Sequence, residues 1–194
     1  MAHILPHWTW PDRVGEVTPV HVFTSGDEAE LFVNGESVGR RQQETSGYRL
    51  RWDDVEYQPG ELRVVAYKNG EEWAEDSVKT AGDAAALTAT VDRETIGADG
   101  LDLTFVTVSV VDADGNKVPR AADSITFSVE GPGEIVSTDN GDPADFKEFP
   151  SLTRDAFSGL ALAVVRSKAG EAGEITVSAS AEGLEGAQVV VQSG

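Results

Sequence analysis

The chain has 194 residues, with 15 basic against 34 acidic and a formal net charge of −19. Such a surface repels phosphate backbones and anionic headgroups, which argues against nucleic-acid and membrane partners. There is no cysteine, so disulfides, thiol nucleophiles and thiolate metal sites are excluded. The 40% hydrophobic fraction is enough to bury a core in one large domain or two ordinary ones. No apolar run is long enough to span a bilayer, and no basic stretch followed by an apolar one opens the chain.

The chain opens on "HILPHWTWPDR", residues 3–13, with two histidines and two tryptophans within eight residues. Trp8 and Trp10 are two apart, so an extended backbone would point both to one side. Pro6 and Pro11 bracket them, deny a helix and limit ladder hydrogen bonds, so the segment suits an apolar face better than a central strand. Strand signals follow at 19–24, 29–33, 37–41, 48–55, 61–67 and 71–79, in short runs bounded by Gly, Asp, Asn and Pro. "LFVNGESVG" and "AYKNGEEWA" each set Asn-Gly between such runs, the pattern of a type I′ hairpin. "AGDAAA", residues 81–86, is a small-residue break that reads as a linker.

Beyond the break, alternating runs at 87–91, 103–111, 124–129, 133–138, 159–167, 174–181 and 187–193 suggest a sandwich of immunoglobulin-like size. All four tryptophans and all three tyrosines precede the break, whereas the only aromatics after it are five phenylalanines. Residues 82–194 carry 19 acids against 7 bases. That asymmetry predicts two separate cores. No segment sustains a 3.6-residue period, so the fold class expected is all-β: two consecutive immunoglobulin-like β-sandwich domains with minimal helix. The expected divisions are a junction segment at 1–16, a first sandwich at 17–82 and a second at 83–194.

Little in the sequence points to chemistry. "GESVG", residues 35–39, matches the nucleophile-elbow pattern, but that elbow needs a helix after its serine. "RRQQETSG" follows instead and has no apolar face, so Ser37 reads as a hairpin serine. "DADGN", residues 112–116, resembles the start of a calcium loop but lacks its later glutamate and flanking helices, so a β-turn is expected. "DNGD", residues 139–142, reads the same way. His3, His7 and His21 do not make the helical zinc-protease motif, so neither metal nor cofactor is expected. Trp52, Trp73 and Tyr57 are candidates for stacking on a sugar, with core packing as the competing role.

"HILPHWTW", "VHVFTSGDEAELFVNGESVGR" and "GELRVVAYKNGEEWAEDSVKT" together resemble the fourth domain of glycoside hydrolase family 2 enzymes of the β-galactosidase type. "ADGLDLTFVTVSVVDADGNKVPRA", "FSVEGPGEI", "DNGDP" and "AFSGLALAVVRS" resemble the bacterial immunoglobulin-like domain that follows it. The resemblance implies a C-terminal fragment whose catalytic (β/α)₈ barrel, with its two glutamates, and N-terminal sugar-binding domain lie upstream of residue 1. It assigns no catalytic residue to this chain. His3, His7, Trp8 and Trp10 would then be a face shaped to lie against the barrel. The implied role is support of that barrel, with the active-site rim and dimer contacts as further possibilities. A glycan-binding module using exposed aromatics, or a stalk or adhesion module of a surface protein, are the alternatives.

Overall fold

The computed structural model describes residues 1–44 and 47–194; Thr45 and Ser46, within the stretch read as lacking an apolar face, lie outside the described residues. The chain divides into two compact units, Met1–Ala81 and Gly82–Gly194. Strands are the dominant regular element of both. The one helical element among the described residues is a 3-10 turn at Pro11–Arg13.

Unit 1 has seven strands: β1 (Ala2–Leu5), β2 (Val20–Thr24), β3 (Glu28–Val33), β4 (Glu36–Gln42), β5 (Leu50–Trp52), β6 (Glu61–Lys68) and β7 (Glu71–Lys79). They form a three-stranded sheet β1-β2-β5 and a four-stranded sheet β4-β3-β6-β7. Strict alternation places Ala29, Leu31 and Val33 of β3, with Leu62, Val64 and Ala66 of β6, in the shared core. Asn34 and Gly35 between β3 and β4, and Asn69 and Gly70 between β6 and β7, all have positive φ. Both hairpins therefore turn where asparagine and glycine accept that backbone. The expected run at 48–55 contracts to the three residues of β5.

The opening segment is not a separate junction. β1 pairs antiparallel with β2, and Ile4 and Trp8 are core residues of unit 1.

Unit 2 has nine strands: β8 (Ala86–Val91), β9 (Thr95–Ile96), β10 (Leu103–Val111), β11 (Ser124–Glu130), β12 (Gly133–Asp139), β13 (Thr153–Asp155), β14 (Leu160–Ser167), β15 (Gly173–Ser180) and β16 (Ala187–Ser193). One sheet runs β12-β14-β10-β8, the other β13-β11-β15-β16-β9. Their facing residues make a core of Val, Ile and Ala around Phe127. Residues 81–86, expected as a loose linker, are partly tied down. The Ala81 amide donates to Thr9 Oγ1 in unit 1, while the Gly82 and Ala85 amides donate to Asp112 Oδ2 and the Val111 carbonyl in unit 2.

Candidate functional site

The two tryptophans of the opening segment part company. The chain folds back locally: the Thr9 amide donates to His7 Nδ1, and Trp10 Nε1 donates to the His7 carbonyl at 2.8 Å. The extended geometry behind a shared face is therefore lost. Trp8 is 0% exposed and meets Tyr57 edge-on at 4.9 Å. Its Nε1 donates to the Gln58 carbonyl, and its own carbonyl accepts from Thr80 Oγ1. Trp8 is thus a core residue of unit 1, a correction to its reading as part of a docking face. Trp10 stays half-buried, stacked on the His7 ring at 4.1 Å. His3 is exposed, 3.6 Å from Asp76 Oδ2, the same oxygen that accepts the Ile4 amide.

Two of the three sugar-stacking candidates fail for the same reason. Trp52 and Tyr57 are fully buried. Trp52 Nε1 donates to the Gly39 carbonyl, and the Tyr57 hydroxyl meets Thr80 Oγ1 at 3.2 Å. A ring enclosed by its own unit has no face for a sugar. Trp73 is half-exposed on β7, but Lys68 Nζ sits 4.8 Å from its ring centroid and Nε1 is committed to Ser25 Oγ.

Ser37 lies on β4, and its hydroxyl donates to Glu30 Oε1 at 2.6 Å. A serine bonded to an exposed carboxylate in a hairpin has neither the base nor the strained turn of an activated nucleophile. A groove lined by Glu61, Arg63, Glu75, Asp76 and Ser77 brings carboxylates together, but Arg63 pairs with Glu75 at 2.8 Å and Lys79 reaches Glu61. Three carboxyls of unit 2 are shifted in the direction opposite to that of a general acid. The Phe105 amide lowers Asp92, the Leu101 amide lowers Asp99 and the Gly97 amide lowers Asp102. A glycosidase acid must instead be raised.

The two acidic turns are also spent internally. Asp112 Oδ1 accepts the amides of Asp114 and Asn116, and Oδ2 accepts that of Gly82. Asp139 Oδ1 accepts from Asn140 and Gly141. Among the described residues, no cluster of three His, Cys, Asp or Glu side chains could hold a metal ion.

One arrangement had no signal in the sequence. Arg154 of β13 is 1% exposed. Its guanidinium donates to Asp145 Oδ2 at 2.7 Å and to the carbonyls of Thr138, Lys147 and Glu148. The arch between β12 and β13 is thereby tied from within. Outside it stand Phe146, 94% exposed, and Phe149, 62% exposed. Leu152 and Phe157 are exposed on either side of β13. No local pattern in the sequence marks either the burial of this arginine or the exposure of these phenylalanines.

Known proteins resemble both units. The family "Glycoside hydrolase family 2 C-terminal domain 5" matches residues 87–190, more than half of the chain, and "Domain of unknown function (DUF4982)" matches residues 15–74. Beta-galactosidase BoGH2A of Bacteroides ovatus is 37% identical over 193 residues, covering 100% of this chain and 22% of that protein. A beta-glucuronidase of Formosa agariphila is 28% identical over 203 residues, covering 99% of this chain and 19% of its own length. The chain thus spans about a fifth of the length of these curated relatives. The crystal structure of a beta-glycosidase from Bacteroides vulgatus superposes with a TM-score of 0.92 at 27% identity, over 98% of this chain and 24% of that one. A domain family named for the C-terminus of these enzymes, with whole-chain likeness in sequence and in fold, settles the lineage: the chain belongs to glycoside hydrolase family 2, as its C-terminal accessory domains.

Proposed function

We propose that this chain is the non-catalytic support of a family 2 glycosidase of β-galactosidase type, holding the catalytic barrel of the same polypeptide. The observation that carries the proposal is the end-to-end match to a β-galactosidase more than four times as long. Ser37, Glu75 and Asp112 are bound up in structural contacts, which fits a supporting role. The candidate contact residues on unit 1 are His3, His7 and Trp10. Trp8 acts behind them by fixing the backbone between His7 and Trp10. The rim of the active site and contacts between enzyme copies are further places where the same support would act.

The name of the Formosa agariphila relative favours a second reading, in which the whole enzyme acts on β-glucuronides. The higher identity to the β-galactosidase sets the order of the two. The test uses aryl β-galactosides and aryl β-glucuronides, offered to this chain alone and to the complete polypeptide that carries it. Turnover is expected only from the complete polypeptide and faster with the galactoside. Turnover by the 194-residue chain, persisting through repurification, would refute the proposal.

A further inference from the structure

Four of the five phenylalanines of unit 2 are exposed, leaving only Phe127 in its core. A small β-sandwich has every reason to bury phenylalanine, yet Phe146 and Phe149, three residues apart on one arch, are the most exposed of the four. Phe146 and Phe149 lie on the arch that Arg154 ties down, and Phe157 stands at the turn before β14. That turn is closed by reciprocal backbone bonds between Phe157 and Leu160, with Ser158 and Gly159 at positive φ. Cross-ties hold the arch. Lys147 Nζ reaches Asp155 at 3.5 Å, and the Thr138 amide donates to the Phe149 carbonyl. The aromatics are therefore presented on a fixed frame, and a pre-organised anchor docks without the ordering cost of a free loop.

Resting on the function proposed above, we infer that this arch is a docking surface for the remainder of the same family 2 polypeptide. Its seat would be an apolar pocket edged by lysine or arginine. Charge decides the chemistry of the partner. Asp139, Asp142 and Glu148 on the arch carry charge that no ion pair among the described residues neutralises, although Asp139 and Asp142 accept amides of their own turns, while Asp145 and Asp155 are matched to Arg154 and Lys147. A second copy would bring like charge, because residues 82–194 carry 19 acids against 7 bases. A neutral glycan would desolvate those carboxylates without pairing them, and phenyl rings offer it no polar handle. A basic-rimmed protein pocket satisfies both the rings and the carboxylates. The greater part of the Bacteroides ovatus relative lies outside the stretch this chain matches, and a polypeptide of that length has room for such a pocket.

The experiment places the photo-crosslinker p-benzoylphenylalanine at Phe146 of the complete polypeptide, and makes the double variant Phe146→Ser, Phe149→Ser in that polypeptide and in the 194-residue chain. A crosslink is expected within one polypeptide, to a peptide outside these 194 residues that contains lysine or arginine. The double variant should speed proteolytic release of this region by about tenfold or more, as for loss of an interface anchor. The melting temperature of the 194-residue chain should not move, because the rings are exposed there. A crosslink to a second copy, no crosslink, or an unchanged release rate overturns the inference. So does a saturable response of the 194-residue chain to galacto-oligosaccharides that the double variant abolishes. If the unaltered polypeptide releases this region as fast as a free linker is cut, the supporting role itself fails. If release is slow but indifferent to the two phenylalanines, only the assignment of the arch fails.

Discussion

Replacing Arg154 tests how unit 2 holds its arch. Arg154→Met keeps a long unbranched side chain in the same space and removes the donors. The Thr138 carbonyl, at a residue with no exposure, loses the bond from Nη2 at 2.8 Å and cannot turn to water. An acceptor stranded in that way costs about 1–3 kcal/mol. The Lys147 and Glu148 carbonyls lie on the arch and recover part of their loss by rotating outward. Asp145 keeps the Lys147 amide but loses its guanidinium partner. Asp145 is partly exposed and water makes good much of its loss, so the stranded Thr138 carbonyl sets the scale, at about 1–3 kcal/mol. For a unit of about 110 residues, each kcal/mol lowers the melting temperature by roughly 4 °C, so a fall of about 4–12 °C is expected. Calorimetry of the 194-residue chain reads it directly. Arg154→Lys should recover less than half, since one ammonium cannot stand in for both Nη1, which serves Asp145 and the Lys147 carbonyl, and Nη2, which serves the Thr138 and Glu148 carbonyls. A fall below about 4 °C for Arg154→Met would show that the arch does not depend on the arginine.

Deleting residues 1–12 removes β1 and Trp8 and should unfold unit 1, and Trp8→Ala alone should cost about 3–5 kcal/mol; a native near-ultraviolet dichroism signal after the deletion would contradict this. Acid should destabilise unit 2 at two carboxylates. Asp145 is lowered first by its bond from Arg154 and then by the Lys147 amide. At Asp112 burial pushes upward, but the amides of Gly82 and Asn116 and the Asn116 side chain outweigh it. Because both folded values are depressed, their stabilisation is complete above the unfolded carboxylate pKa of about 3.9 and is lost as pH falls through the folded values. Melting temperature should therefore hold from neutral pH to about 5 and drop below about 4, less steeply in Asp145→Asn; equal steepness in the variant would count against the pairing. Titration with galactose, lactose or galactan oligomers should leave tryptophan fluorescence nearly unchanged, since Lys68 covers one face of Trp73; a saturable change at millimolar sugar, lost in Trp73→Ala, would restore a binding-module reading.

Much of the architecture was legible from local chemistry. Asn34-Gly35 and Asn69-Gly70 turn because asparagine and glycine tolerate positive φ, a property of the residues themselves. The alternation in β3, β6 and β14 is likewise local and marks each strand's inner face wherever one face is buried. The family resemblance rested on such stretches, which keep their pattern because turns and inner faces demand particular residues.

What stayed hidden depends on what lies across a gap. Parity put Trp8 and Trp10 on one side, but it holds only for an extended backbone, and the bonds to His7 fold that backbone. Trp52 and Tyr57 looked like sugar platforms because an aromatic residue reads the same whether a sheet or solvent faces it. In "SLTRDAFSG" Arg154 reads as a surface residue, since arginine is seldom fully buried. The tertiary structure alone supplied three carbonyls and a carboxylate to receive its guanidinium, and it alone shows Phe146 and Phe149 exposed on the same arch. Turns and inner faces follow from neighbours along the chain; burial of a charge, and exposure of a ring, follow from partners distant in sequence.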